Sequence, residues 1–137
     1  MIDQNEIFLR VLQPAAWARP RGYANGIVAS GRTIFLAGQV GWDAHGHFAE
    51  GLADQVGQVL ANVVTLLAEA GAEPRHLVRL TWYLTDLRAY RENQAAIGAA
   101  YRRVIGKHFP TMSAIGVTEL VEPAALVEIE ATAVLPT

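Results

Sequence analysis

The chain has 137 residues, 52% of them hydrophobic, and a formal net charge of -2. This length predicts one domain over residues 1–137, with enough apolar residues to build a core. The absence of cysteine excludes disulfides, thiolate metal sites and cysteine nucleophiles. The 11 basic residues form no long run, and no stretch approaches the roughly 20 apolar residues that span a bilayer, so neither a nucleic acid nor a membrane partner is expected.

The first third of the chain predicts three short strands. Residues 1–6 lack a basic region before an apolar one, which argues against a signal peptide and favours a cytoplasmic protein. Residues 7–12 are an apolar run typical of a strand. Residues 27–29 and 33–37 are β-rich on either side of a Ser30-Gly31 turn signal, and together they predict a β-hairpin.

The middle of the chain predicts two helices around a strand. Apolar residues recur at helical steps through residues 52–70, and Gly71 stands where a C-terminal cap belongs. Alternation through residues 77–84 predicts a strand, with Leu77 on the same side as Arg79 and the other face apolar. A second helix is expected to begin after an N-cap at Thr85 or Asp86 and to end at Gly106. Its apolar stripe consists of Leu87, Tyr90, Ile97, Tyr101, Val104 and Ile105.

The last strand has the clearest alternation of the chain. Val127, Ile129, Ala131 and Ala133 form an apolar face that should meet the core. The other face carries two carboxylates among its members, which are Leu126, Glu128, Glu130, Thr132 and Val134. That face is either a solvated outer surface or the lining of a partly buried site in which one glutamate handles a proton or a water.

The order β-β-β-α-β-α-β-β predicts an α+β domain with two layers, a mixed sheet covered on one face by two helices. The second sheet face then stays uncovered, although it carries Tyr83, Leu126 and Val134 beside charged residues. An apolar surface of this kind predicts an interface with another molecule.

Four stretches in the same order resemble the RidA/YjgF family of small enamine/imine deaminases. They are a glycine-glutamine segment ending at Gly38 and Gln39, a QVLANVVTLLAEAG helix, an LVRLTWYLTDL strand, and an FP-x-x-S stretch followed by VEIEATAV. The resemblance covers residues 23–134. It implies a chorismate-mutase-like, RidA-type fold and a homotrimer that binds small molecules in clefts between adjacent subunits.

The resemblance also implies roles for individual residues. Glu128, aligned through VEIEATAV, would position the water that attacks an imine carbon; an interface glutamate paired with an arginine is the alternative. Tyr23 would close the cleft, or simply pack at a sheet edge. Gly38 and Gln39 would let backbone groups approach the ligand, although a bulge or turn also requires a glycine. The remaining candidates for substrate contact are Ser113, in the FP-x-x-S stretch, and Trp42, which can equally pack in a core or interface.

Met112 is the main departure from the resemblance. The family's deaminases carry an arginine at this position, whose fork holds the substrate carboxylate. Methionine offers only a soft apolar surface, so the substrate is not expected to be a common 2-imino acid. Arg21 can supply the lost charge from another wall, although an arginine so close to prolines is more typical of a solvated loop.

Two functions of different classes remain open. The first is hydrolytic deamination of a reactive imine or enamine, with release of ammonia, and it requires no cofactor or metal. The second is a non-catalytic trimer that binds or regulates through a small molecule, which Met112 favours. A third, ribonuclease activity, is an older label of the family, and the acidic net charge argues against it. The His45-Gly46-His47 segment is read as loop histidines rather than a metal site.

Overall fold

The computed structural model describes residues 8–137. The elements follow in the order β1 (Leu9–Leu12), β2 (Gly26–Ala29), β3 (Arg32–Val40), α1 (Leu52–Glu69), a 3-10 turn (Pro74–His76), β4 (Leu77–Leu84), α2 (Leu87–Glu92), α3 (Gln94–Val104), β5 (Thr111–Gly116) and β6 (Val127–Leu135). Ile7, the first residue of the predicted first strand, lies outside the described residues.

The main sheet has four strands in the order β3-β6-β4-β5. Strand β6 is antiparallel to β3 and to β4, and β5 runs parallel to β4. Helices α1 and α3 pack on one face, where their apolar stripes and the sheet share one core. The predicted α+β domain, a mixed sheet with helices on one face, is confirmed.

The predicted hairpin of residues 27–29 and 33–37 is wrong. Strand β2 pairs with β1 in a separate two-stranded sheet, whereas β3 pairs with β6. The Ser30-Gly31 turn lies beside the end of β6, because a Cβ at Gly31 would stand 2.3 Å from the Leu135 carbonyl oxygen. The chain does bend at Gly31, but the strand after the bend pairs with β6 and not with β2.

Two further expectations need correction. Leu77 was placed with Arg79 on the open side, but it is fully buried in the core, because a register shift between Leu77 and Arg79 interrupts the alternation. The second helix was predicted as continuous, but it is broken at Asn93, where φ is -117° and ψ is 24°. The Asn93 side chain donates to the Ala89 carbonyl, a local bond of the kind that competes with helix continuation.

Helix α1 follows its sequence pattern closely. Val56, Val59, Leu60, Val63 and Leu67 are all fully buried, and these residues recur at three- and four-residue steps. Leu66, which the pattern placed on the same stripe, remains 36% exposed. The helix ends at Glu69, and Gly71 follows the C-cap residue with a φ of +73°, which suits glycine.

Gln55 links α1 to the loop before that helix and to the segment that leads to the carboxylate strand. Its side chain is 3% exposed, and its amide donates to the carbonyls of Ala49 and Ala124. Its side-chain oxygen accepts from the Leu126 amide at 2.8 Å. Because Leu126 precedes β6 directly, this buried amide holds the start of the strand that carries Glu128.

The sheet face opposite the helices is called the open face here. Among the described residues it carries a mixture of aromatic, aliphatic and charged side chains, and Phe35 is 79% exposed on it. An exposed phenylalanine on a sheet face leaves a large apolar side chain in water, which is unfavourable. Of the helices in the described part of the chain, none is both long and apolar enough to cross a membrane.

Candidate functional site

Glu128 lies on the open face near the beginning of β6. It is directly opposite Tyr83 of β4 and Val40 of β3, and its side chain is half-buried. Within residues 8–137 its carboxylate takes part in no hydrogen bond or ion pair between side chains. Its carboxylate is therefore free to hold a water or a ligand.

Glu130, two residues further along the same face, is already engaged. It accepts a hydrogen bond from the Tyr83 hydroxyl at 2.6 Å. This bond raises the pKa of Tyr83 above its usual value, since loss of the phenolic proton would set two negative charges side by side. The two glutamates of the strand thus differ, because Glu130 is tied to a neighbour and Glu128 is not.

Gly38 makes room for the Glu128 side chain. It lies in a register shift between Leu36 and Gln39, where β3 bulges against β6. A Cβ built on Gly38 would stand 2.7 Å from Cδ of Glu128 and 2.9 Å from its Oε2. Any other residue here would therefore push the carboxylate away from its present position.

We expect Gly38→Ala to displace the Glu128 carboxylate without unfolding the chain. The backbone of Gly38 does not have a positive φ, so alanine is tolerated there, and the flexible end of Glu128 is what must move. For a reaction in which Glu128 takes part, a loss of about tenfold in kcat/KM is expected, because misplacement of a reacting group by 1 Å can cost up to a hundredfold. In a Glu128→Gln background the same change should cost nothing more, and an additive loss would contradict this coupling.

Gln39 and Trp42 each have partners close to them in the chain or in the first helix. Gln39 is opposite Ile129, a core residue, so it faces the helix layer, and its amide donates to the Ala37 carbonyl at 3.0 Å. Trp42 packs on Phe48 with ring centroids 5.6 Å apart, and its carbonyl accepts from Asn62. Both therefore have local structural partners in the bulge and in the loop after β3.

A second group of predicted residues lines a cleft between β5, the helices and the loop before β2. This cleft, called the aromatic cleft, has a volume of about 510 Å³. Its apolar walls are Tyr23, Trp82, Tyr90, Tyr101, Phe109 and Met112. Arg21 and Arg102 also line it. Tyr23, Arg21 and Met112 thus line one cleft.

The rings of the aromatic cleft are held by specific contacts. Tyr101 stacks on Phe109 with centroids 5.3 Å apart, and Trp82 meets Tyr90 edge-on at 6.2 Å. The Tyr101 hydroxyl donates to the His108 carbonyl, and burial raises its pKa well above the usual value of a tyrosine. Tyr101 therefore stays neutral and presents a ring, not a charge.

Ser113 lies next to Met112 but on the open face. It is opposite Thr81 of β4, and it lines a neighbouring groove together with Tyr23, Met112 and Arg79. Tyr23 and Met112 therefore border both the aromatic cleft and this groove. The aromatic cleft and the groove thus adjoin each other at the edge of β5.

Within one chain, Glu128 and Met112 are too far apart to touch the same small molecule. Met112 is opposite Leu80, a core residue, so it faces the helix layer, whereas Glu128 is on the open face. Strand β4 lies between their strands, which separates them by roughly 10 Å across the sheet and, since Tyr83 and Leu80 are three residues apart, by roughly 10 Å along it. One copy of the chain therefore holds the Glu128 carboxylate and Met112 in two separate places.

The sequence alone did not identify most of the cleft walls. Tyr90, Ile97 and Tyr101 were placed on the apolar stripe of a helix, and Trp82 on the apolar face of a strand, which describes core residues equally well. No pattern in the sequence indicated Arg102 as a residue of the cleft. The recurrence of tyrosine on one helix stripe, followed by Phe109 just before the strand of Met112, was the only available indication.

The loop after β3 uses its ionisable residues for structure. The Asp43 carboxylate accepts from the backbone amides of His45 and His47 at 2.9 and 3.0 Å, and these bonds lower the pKa of Asp43. Across residues 8–137 no group of three or more histidine, aspartate or glutamate side chains is arranged to hold a metal ion.

Comparison with known proteins identifies the family. A family model described as Endoribonuclease L-PSP matches residues 14–135. A RutC family protein of Aquifex aeolicus is 35% identical over 102 residues, which cover 74% of this chain and 79% of that protein. The chain belongs to the RidA/YjgF family.

Two other RidA/YjgF proteins are informative. The crystal structure of YyfB from Yersinia pestis, a member of the conserved Rid protein family, has a TM-score of 0.83 and 38% identity, and the match covers 94% of this chain and 100% of that one. A 2-iminobutanoate/2-iminopropanoate deaminase of Bos taurus is 32% identical over 105 residues, 75% of this chain and 73% of that protein. Imine deamination is therefore an activity found within the RidA/YjgF family.

Proposed function

We propose that this protein hydrolyses a reactive imine or enamine and releases ammonia. The observation that carries the proposal is the contrast between two glutamates of one strand: Glu130 accepts a hydrogen bond from Tyr83, whereas the Glu128 carboxylate has no side-chain partner among the described residues. The name of the Bos taurus relative supports the same reaction class. The substrate is proposed not to be a common 2-imino acid, because Met112 cannot pair with its carboxylate.

The chemistry requires one group that moves a proton twice. The Glu128 carboxylate accepts a proton from water while the water oxygen adds to the C=N carbon, and it passes that proton to the imine nitrogen, which gives a neutral carbinolamine. The carbinolamine then collapses: Glu128 accepts the hydroxyl proton and delivers it to the nitrogen, the C–N bond breaks, and ammonia leaves as the C=O bond forms. Imine and water are thereby converted to carbonyl compound and ammonia, without oxidation or reduction.

The place that holds Glu128 and the place that holds Met112 are proposed to be two half-sites, which meet between copies of the chain. The open face of one copy, with Glu128 and the exposed Phe35, would cover the β5 edge of the next copy, where Tyr23 and Met112 lie. This arrangement buries an apolar surface and brings a carboxylate to a cleft that lacks one. Three copies around one axis, the arrangement that the family resemblance implies, would form three such sites.

We expect the purified protein to be a trimer at micromolar concentration. Burial of Phe35 and its neighbours on the open face supplies the apolar contact that holds the copies together. Light scattering coupled to gel filtration should give three times the mass of the chain, and Phe35→Glu should shift it toward the monomer. A monomeric wild-type protein would remove both the trimer and the shared site.

The function is tested by ammonia release over a panel of imines, generated in place by oxidation of the corresponding amines and amino acids. Activity on at least one imine, lost in Glu128→Gln, would support the proposal. The second candidate is a trimer that binds a metabolite without turnover, which Met112 in the position of the family arginine favours. Ligand binding that is unaffected by Glu128→Gln, with no ammonia from any imine, would support that second function.

A further inference from the structure

The aromatic cleft has a composition that suits one kind of ligand. Five aromatic side chains, from the loop before β2, from β4, from both later helices and from the segment before β5, face one space. Trp82 and Tyr101 are nearly fully buried, while Tyr23 and Phe109 are 43% and 37% exposed. Two rings are thus fixed in the core, and the other two lie at the mouth of the cleft, where they can contact a flat group of a ligand.

The charged residues of the aromatic cleft are all positive. Arg21 and Arg102 line it, and no aspartate or glutamate does. Neither arginine forms an ion pair within the described part of the chain. Gly98 lies directly below the Arg102 guanidinium, since a Cβ at Gly98 would stand 3.3 Å from its Nη1. Arg102 therefore lies along the helix surface beside the cleft.

We propose that the aromatic cleft binds a molecule with a planar aromatic group at one end and an anionic group at the other. The ring lies against Met112 and the tyrosines, and Arg102 and Arg21 hold the anion. The inference rests on the proposed function only in taking this molecule to be the imine substrate.

Met112 and the size of the cleft favour this ligand over a small imino acid. A thioether makes favourable contacts with an aromatic ring, and it replaces a guanidinium that would have taken the same space. A volume of about 510 Å³ is within the range of pockets that enclose drug-sized ligands. An imine with three or four carbons would contact few of the aromatic side chains, and would gain little binding free energy from them.

The inference is tested by calorimetric titration of the intact protein with three probes. Indole-3-acetate carries both ring and acid, indole-3-acetamide keeps the ring without the charge, and acetate keeps only the charge. We expect indole-3-acetate to bind about ten- to hundred-fold tighter than either of the others, as the loss of one charge-assisted pair implies. Arg102→Gln and Arg21→Gln should each weaken the binding of indole-3-acetate and leave the binding of indole-3-acetamide unchanged.

Two control variants test whether the probes bind in the aromatic cleft. Arg91→Gln changes an exposed arginine of α2 that does not line the cleft, and it should alter no affinity. Ala114→Trp adds a ring inside the cleft, and it should prevent binding of both indole probes. Equal affinity for indole-3-acetate and acetate, no binding of any probe, or the same loss in Arg91→Gln as in Arg102→Gln would overturn the inference.

The outcomes also separate this inference from the proposed function. Arginine-dependent binding of indole-3-acetate with no ammonia from any imine would support the cleft assignment and refute the enzyme. Ammonia release from small aliphatic imines, without binding of the indole probes, would support the enzyme and overturn the cleft assignment.

Discussion

Glu128→Gln is expected to lower the rate of ammonia release by about a hundred- to ten-thousand-fold, the range that a positioned general acid–base group contributes. The amide keeps the size of the carboxylate but can neither accept the proton of water nor return one to nitrogen. It should also fit beside Gly38 as the acid does, so the unfolding temperature should stay close to that of the wild type. The measurement is kcat/KM on the best imine of the panel.

Glu130→Gln is the matched control on the same strand. Its amide oxygen can still accept from the Tyr83 hydroxyl, so the contact is kept and the activity should fall by less than about tenfold. Equal losses at the two positions would show that the pair acts structurally. A loss in Glu128→Gln accompanied by unfolding would lead to the same conclusion.

Met112→Arg is expected to raise turnover of 2-iminopropanoate by about ten- to hundred-fold over a weak wild-type activity. An arginine–carboxylate pair in a desolvated cleft contributes about 1.5–3 kcal/mol, and about 1.4 kcal/mol is tenfold in binding. The pair also orients the reacting carbon toward the water. An amino-acid-oxidase-coupled assay on both proteins measures the difference.

Met112→Leu is the control for Met112→Arg, because it changes the side chain without adding charge, and no gain is expected from it. Robust turnover of 2-iminopropanoate by the wild type would contradict the account of Met112. In that case Arg21, Arg102 or Arg79 would have to hold the carboxylate, since these three arginines line the cleft or the adjoining groove.

Local periodicity carried most of the fold prediction. Helix α1 and strand β6 were predicted within a residue or so at each end, because their apolar residues repeat at steps that only one structure can bury on one side. The partner of β2 could not be found in the same way. Short β-rich runs carry no information about which strand they pair with, and the contact of Gly31 with Leu135 is made between distant parts of the chain.

The site was only partly predictable for a related reason. Glu128 and Gly38 were both named from the sequence, but their contact depends on the bulge in β3, and such bulges leave little trace in a sequence. Trp82, Tyr90 and Tyr101 have positions that fit a core, and only the break at Asn93 and the packing of α3 bring them to one cleft. Arg102 joined the site through tertiary structure alone.

Each active site is proposed to be built from two copies of the chain. Mixed trimers test this shared site most directly. Glu128→Gln spoils one half-site and Ala114→Trp the other, so each variant alone should be inactive. Random assembly of equal amounts should leave about one interface in four with both halves intact, and should restore about a quarter of the wild-type activity. Mixed trimers that form but stay inactive would contradict the account.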